Sequence, residues 1–351
     1  VRMSPHQVII EGDIIDNDGG GDDNDNDNDN DGGRSRPFDG VALLSSAGST
    51  STSTSSSIGA MITTLSTSSR RDRHRWLRSA GMPSIAAYPN LTAIYLDNER
   101  YITCLHDSIG TLKNLRRLHV TRCNSLQSLP EAVGNLHLLE EINLFDSNQI
   151  RELPASIGGL TSLKVLTLGG SSAVANKTLT TLPPSIGECS NLEVIELDKC
   201  KALASLPETL GSLSNLKVLS LRECKALTTL PDSLTRCTRL QELRLLKCIK
   251  LAGLPHGMHQ LKNLEDLVML KCKSIKELPP SITQCTSLAV LDLRGCRRLE
   301  VLPDDIADLR QLRQLYLSDC SKLTRVPDSM DALVKRLDLC EMKNLKLLDQ
   351  A

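Results

Sequence analysis

One pattern of apolar and polar positions repeats every 24 residues along most of this chain. Each copy reads approximately LxxLxLxxCxxLxxLPxxIxxLxx; the fourth copy holds five extra residues and the tenth is two residues short. A repeat of fixed period predicts a solenoid, because one copy cannot bury its leucines without neighbours. The ten copies begin at Leu91, Leu115, Leu139, Leu163, Leu192, Leu216, Leu240, Leu264, Leu288 and Leu312, and a truncated copy begins near Val334.

The first half of each copy predicts a short β-strand. In the segment LEVIELDKC, which begins at Leu192, Ile195 and Leu197 are two positions apart and therefore point to the same side of a strand. Residues three, five and seven of the copy point to the other side. We expect the strands to form a parallel sheet on the inner, concave side of an arc, and we call its solvent side the displayed face.

The second half of each copy carries a recurrent proline. Proline has no N–H group and cannot donate to a strand ladder, so this half should form turns and short helical pieces on the convex side. The prolines are Pro130, Pro154, Pro183, Pro207, Pro231, Pro255, Pro279, Pro303 and Pro327.

The stretch LKVLSLRECKALTTLPDSLTRCTRL, which begins at Leu216, resembles the leucine-rich-repeat family. Within that family it is similar to the intracellular group found in plant disease-resistance proteins and to the Ras-group-related proteins. The resemblance implies an α/β solenoid: a leucine-rich-repeat horseshoe with a parallel concave sheet and a convex side of turns and short helices. It covers residues 91–351, which should hold about ten to eleven repeats.

The resemblance also implies a function. We expect a non-enzymatic protein–protein recognition module in intracellular signalling or defence, which recognises an effector or restrains a signalling module. One alternative is a Ras-group-like scaffold that binds a small GTPase or a phosphatase. Another is the recognition region of a larger enzyme, such as a kinase, a GTPase or a ubiquitin ligase, whose catalytic domain lies outside this chain.

Residues 1–90 differ in composition from the repeats. The stretch GDIIDNDGGGDDNDNDNDNDGG is rich in Asp and Asn, and SSAGSTSTSTSSS in Ser and Thr. Neither has enough apolar side chains to offset the entropy lost on ordering, so residues 1–70 are predicted to be disordered. The distal glutamate of a calcium-binding loop is missing. Residues 71–90 match the repeat in part and should form an N-terminal half-repeat cap.

The cysteines indicate a reducing compartment. Seven of the twelve occupy the ninth position of a copy, where equivalent stacked thiols offer no unique disulfide pairing. No closely spaced CxxC pair suits zinc. We therefore expect reduced, structural cysteines and a cytoplasmic or nuclear protein, although two glycosylation sequons, at Asn90 and Asn176, favour secretion weakly. The seven are Cys123, Cys200, Cys224, Cys248, Cys272, Cys296 and Cys320.

Composition and motifs favour neither catalysis nor nucleic-acid binding. The net charge of −1 and an aromatic content of 2% are poor material for binding phosphates or stacking on bases. No apolar run approaches the roughly 18 residues that span a bilayer. The segment GGSSAVANKT, from Gly169 to Thr178, lacks the glycine spacing of a phosphate-binding loop and is better explained as the insertion of the fourth copy. We expect no cofactor, no metal, no membrane and no small-molecule substrate.

The candidate site therefore lies on the displayed face, with a protein as the partner. In copies six to nine, two leucines stand at the seventh position and basic residues surround them, an arrangement typical of apolar anchors in a charged rim. An alternative is that the leucines are scattered and are covered by lysine stems. The candidate protein-binding residues are Arg222, Arg244, Leu246, Lys247, Val268, Leu270, Lys271 and Arg294.

Overall fold

The computed structural model describes residues 7–11, 90–170 and 175–335. All of them belong to one compact unit. The described residues form one parallel sheet in which each strand pairs with its neighbours in chain order. The strands are β1 (Gln7–Glu11), β2 (Ala93–Asp97), β3 (Arg117–Thr121), β4 (Glu141–Asn143), β5 (Val165–Thr167), β6 (Val194–Glu196), β7 (Val218–Ser220), β8 (Glu242–Arg244), β9 (Asp266–Val268), β10 (Val290–Asp292) and β11 (Gln314–Tyr316).

The pairing register follows the sequence period. Leu219 of β7 pairs with Leu243 of β8, 24 residues later. Between β5 and β6 the step is 29 residues, from Leu166 to Ile195, so the insertion leaves the register of the ladder unchanged. The predicted solenoid of stacked copies is confirmed.

Short 3-10 helices occupy the second half of the copies, as the prolines predict. Most follow a proline in extended conformation, whose carbonyl accepts the first hydrogen bond of the turn; Pro207, for example, accepts from the N–H of Leu210 at 3.0 Å. A short α-helix, α1 (Met330–Val334), follows the last 3-10 turn. The 3-10 helices are Asp107–Thr111, Glu131–Asn135, Ala155–Gly159, Pro184–Glu188, Glu208–Ser212, Asp232–Arg236, Met258–Gln260, Pro280–Gln284 and Ile306–Asp308.

Alternate residues along the strands face opposite sides, as expected. In copy five, Ile195 and Leu197 are fully buried, whereas Val194, Glu196 and Asp198 are partly exposed. The core of the described repeats consists of aliphatic residues, methionines and cysteines, and contains no aromatic side chain. One face of the sheet is therefore occupied by the core, and the other remains available for contacts.

In nine of the ten copies the eighth residue, which follows the strand, takes a left-handed backbone conformation that the sequence does not predict. Lys247 has φ 57° and Lys271 has φ 61°, and Gly295 takes the same conformation in copy nine, with φ 68°. For a residue with a Cβ this conformation is unfavourable by about 1–2 kcal/mol. The N–H of Lys247 compensates by donating to the carbonyl of Leu270 in the next copy at 2.7 Å, which extends the ladder beyond the strand.

After the five-residue insertion of the fourth copy, the repeat pattern resumes at Asn176. This residue takes the ninth position and is buried, with its side-chain nitrogen donating to the carbonyl of Ile150 at 2.9 Å. Its side-chain oxygen accepts from the backbone N–H groups of Thr178 and Leu179. Asn176 is thus a structural residue, and the nitrogen that a glycan would need is already committed to the interior. Of the insertion, residues 171–174 lie outside the described residues.

The predicted domains of the N-terminal region lie mostly outside the described residues. The Asp/Asn tract, the Ser/Thr tract and residues 71–89 of the half-repeat cap are not described. Strand β1 falls within the range 1–70 and directly precedes the Asp/Asn tract; it pairs with β2 from Gln7 opposite Ala93 to Glu11 opposite Asp97. The assignments for residues 1–70 and 71–90 stay predictions, as does the truncated copy, since residues 336–351 are also not described.

The two faces of the sheet predict different responses to the same truncation. Leu219 is fully buried among three stacked copies, so Leu219→Ala should lower the free energy of unfolding by about 2–5 kcal/mol. Leu246 is only partly buried on the displayed face, so the matched control Leu246→Ala should lose far less. Urea melts of both variants measure this, and equal midpoints would contradict the assignment of faces.

Candidate functional site

The predicted apolar residues come together on the displayed face of β8 and β9. Val268 lies in β9, opposite Arg244 of β8, and Leu246 and Leu270 follow two residues after their strands end. Backbone hydrogen bonds hold the two copies in register at this place, because the N–H of Leu245 donates to Val268 and that of Lys247 to Leu270, both at 2.7 Å. We call Leu246, Val268 and Leu270 the apolar strip.

The apolar strip is half-buried rather than fully in water. All three side chains are intermediate in exposure. The displayed face has a more exposed apolar residue in Phe145, at the seventh position of copy three, which is 38% exposed. Its neighbours at the same position are Thr121 and Gly169, which are small. The sequence pattern places Phe145 on this face, but our site prediction does not include it.

The predicted basic residues are mostly paired within the chain. Arg222 lies 3.9 Å from a carboxylate oxygen of Asp198, and Lys247 lies 3.8 Å from one of Glu223. Arg244 pairs with Glu242. These side chains therefore have counter-charges within the chain before any partner approaches.

Arg294 is held from two sides. Its guanidinium pairs with Asp292 at 2.7 Å and lies over the ring of Tyr316, 4.9 Å from the ring centroid. Asp292 is buried, so this pair is better shielded from water than the others. Lys271, the last predicted basic residue, directly follows Leu270 in the left-handed turn, and its N–H donates to the carbonyl of Arg294 at 2.6 Å.

Acidic residues lie at the starts of β8 and β9, at the other end of these strands from Leu246 and Leu270. Glu242 and Asp266 are paired in register at the starts of β8 and β9, and Glu265 precedes Asp266. Burial raises the pKa of Asp266 above its usual value, and the negative charges of Glu242 and Glu265 raise it further, while Arg244 opposes the shift. The structure shows no ion pair to Asp266 among the described residues. We call Glu242, Glu265 and Asp266 the acidic row.

Polar and aromatic residues occupy the displayed face near the N-terminal end of the repeats. The rings of Tyr95 and His119 meet edge to face, with centroids 4.8 Å apart. A ring nitrogen of His119 lies 3.0 Å from a carboxylate oxygen of Glu141, and this contact lowers the pKa of Glu141. Three valines of neighbouring copies form a further row in register: Val165, Val194 and Val218. Sequence position alone could have placed all of these on the displayed face.

The ninth-position cysteines lie behind this face and are structural. From copy six to copy ten, each thiol donates to the carbonyl of the sixth residue in the preceding copy; Cys248 donates to Leu221 at 3.0 Å and Cys272 to Leu245 at 3.0 Å. Burial raises the pKa of Cys248 to about 12, so the thiolate is scarce. All eleven described cysteines are free, and only Cys104 is exposed.

The described residues offer no group of three or more His, Cys, Asp or Glu side chains that could hold a metal ion. None of the helices in the described part of the chain is long and apolar enough to cross a membrane.

Comparisons with known proteins agree with this architecture. No protein-family model matches the sequence, and no curated protein does. Among solved structures, the leucine-rich-repeat domain of the type III effector XopL is 25% identical with a TM-score of 0.53, over 72% of this chain and 76% of that one. The chain folds as a leucine-rich-repeat protein. Similarity to such structures supports a protein-interaction module.

A second solved structure, with lower sequence identity, shares the fold. A chain from the structure of the Toll–Spätzle complex of Drosophila matches this leucine-rich-repeat protein with 19% identity and a TM-score of 0.51. The match covers 67% of this chain and 34% of the other. At this level of identity the likeness shows the fold alone.

Burial of the thiols predicts a single fast-reacting cysteine in the described repeats. In the native protein, iodoacetamide should modify Cys104 and leave the ten buried cysteines intact, because they are inaccessible and protonated. Mass spectrometry of digested protein identifies the labelled residues, and Cys104→Ser provides the matched control. In denaturant without reductant, all twelve thiols should react; recovery of disulfides, or native labelling of Cys248 or Cys272, would contradict the assignment.

Proposed function

We propose that this leucine-rich-repeat protein is a non-enzymatic module that recognises a protein partner on the concave, displayed face of copies seven to nine. The single observation that carries the proposal is the apolar strip of Leu246, Val268 and Leu270, which is half-exposed beside paired charges. Apolar anchors surrounded by satisfied polar groups are the usual composition of a binding centre and its rim.

The ion pairs around the strip suit a preformed site. Arg244 and Arg294 are already held by Glu242 and Asp292, so a partner would not have to immobilise these long side chains. Ordering such side chains otherwise opposes association by about 0.5–1.5 kcal/mol each. Substitutions in the strip should also have little effect on folding, because the core is built from the fourth and sixth positions of each copy and not from the displayed ones.

We place this recognition in intracellular signalling or defence, through contact with an effector or restraint of a signalling module. The cysteine-containing LPxxI repeats, with their likeness to the intracellular plant group, support the assignment. Eleven free described cysteines are in keeping with a reducing compartment. The XopL domain, whose structure this chain resembles, is the leucine-rich-repeat domain of a type III effector.

The proposal predicts that charge on the strip abolishes capture of the partner. Leu246→Asp with Leu270→Asp should lower affinity by about 2 kcal/mol or more, roughly thirtyfold, because a desolvated interface would have to bury unpaired carboxylates. The measurement is an affinity pull-down from cell extract with quantitative mass spectrometry. Circular dichroism verifies that the variant is folded.

The matched control carries the same change away from the displayed face. Leu138 and Val301 are exposed apolar residues, at 41% and 46%, outside positions three, five and seven. Leu138→Asp with Val301→Asp should leave the captured proteins unchanged. Identical captured sets from all three proteins would contradict the proposal. Enrichment of a GTPase or a phosphatase would favour the scaffold alternative.

A further inference from the structure

The charges around the apolar strip are unequally satisfied. Arg222, Arg244 and Arg294 each face a carboxylate of the same chain. In contrast, Asp266 has no ion pair among the described residues, and its acidic neighbours disfavour its ionisation. A partner that covers this surface therefore meets arginines that already have ion pairs, and the carboxylate of Asp266, whose nearby positive charge, Arg244, is already paired with Glu242.

Asp266 lies on β9 together with Val268, on the same face as the apolar strip. It takes the third position of copy eight, Val268 the fifth and Leu270 the seventh, and all three are partly exposed. At the strand rise of about 3.3 Å per residue, the four residues from Asp266 to Leu270 span at most roughly 13 Å. One short segment of a partner, about four residues in extended conformation, can therefore contact both.

Desolvation makes the partner's charge decisive. A partner without a positive group would strip water from Asp266 and leave its carboxylate without an ion pair, which strongly disfavours binding. A lysine or arginine would replace that water with a charge-assisted hydrogen bond and would also relieve the repulsion among Glu242, Glu265 and Asp266.

We infer that the partner segment on this face is a basic, apolar peptide: a lysine or arginine faces the acidic row, and an apolar side chain about four residues away rests on Leu246 and Leu270. This inference rests on the proposed function, because it names the chemistry of the partner at the same surface. Basic side chains of the chain remain paired with their own acids in the complex.

A peptide selection tests the inference directly. A random 12-residue phage-displayed library, panned on the wild-type protein, should enrich peptides with a lysine or arginine near an apolar residue. The best synthetic peptide should bind Asp266→Asn roughly three to ten times more weakly in fluorescence anisotropy, as loss of a partly buried ion pair would cause. Added salt should weaken wild-type binding more than binding to the variant.

Folding of the Asp266 variant is not at risk. Since the pKa of Asp266 is raised in the folded chain, its ionised form opposes folding at pH 7 and its neutral form does not. The urea midpoint of Asp266→Asn at pH 7 should therefore equal or exceed that of the wild type, and the two should converge in acid. Asp232→Asn, at an exposed 3-10 turn, is the matched control and should bind the peptide normally.

The outcomes separate this inference from the proposed function. Peptides that lose affinity for Leu246→Asp with Leu270→Asp but bind Asp266→Asn normally would overturn the basic partner and leave the surface assignment intact. Enrichment of acidic peptides at the strip would do the same. Peptides indifferent to both variants, or no enrichment at all, would count against both ideas.

Discussion

The structure depends on a match between the 24-residue period and the register of a parallel sheet. Each copy places its fourth and sixth residues where only the adjacent copies can bury them, as Leu219 shows between the copies of Ile195 and Leu243. Because side chains of a strand alternate, a slip of one residue would move the leucines of a copy to the solvent face. The five-residue insertion is accommodated only because it lies outside the strand and the register resumes at Asn176.

This constraint determines which residues are available for function. Backbone ladders and thiol donors satisfy the buried polar groups around the strand ends, as Cys248 does for the carbonyl of Leu221. The third, fifth and seventh positions then bear little of the folding energy and can vary in chemistry. Copies seven and eight use this freedom to combine Leu246 and Leu270 with an acidic row, which is why we propose recognition there.

Sequence reasoning succeeds where one periodic rule governs a position. Burial of the strand leucines, the 3-10 turns after the prolines and the buried ninth-position cysteines all follow from spacing. It could not foresee the left-handed backbone at Lys247, because a lysine carries no signal for positive φ and the next copy imposes it through hydrogen bonding. Ion pairs such as Arg222 with Asp198 were also beyond reach, since they depend on rotamers of side chains 24 residues apart. The half-buried state of Leu246 was equally beyond prediction, because it too depends on the rotamers of side chains in neighbouring copies.

Deleting repeat units tests the register constraint most directly. Removal of residues 216–239, one whole copy, joins Asn215 to Leu240 and should leave a protein that folds and unfolds cooperatively in urea, since the remaining copies can pair as before. Removal of residues 216–227, half a copy, puts polar residues where core leucines belong and should abolish the cooperative transition and the native circular dichroism spectrum. If the half-copy deletion were as stable as the whole-copy deletion, or if the whole-copy deletion failed to fold, stacking in 24-residue register would not be what specifies this structure.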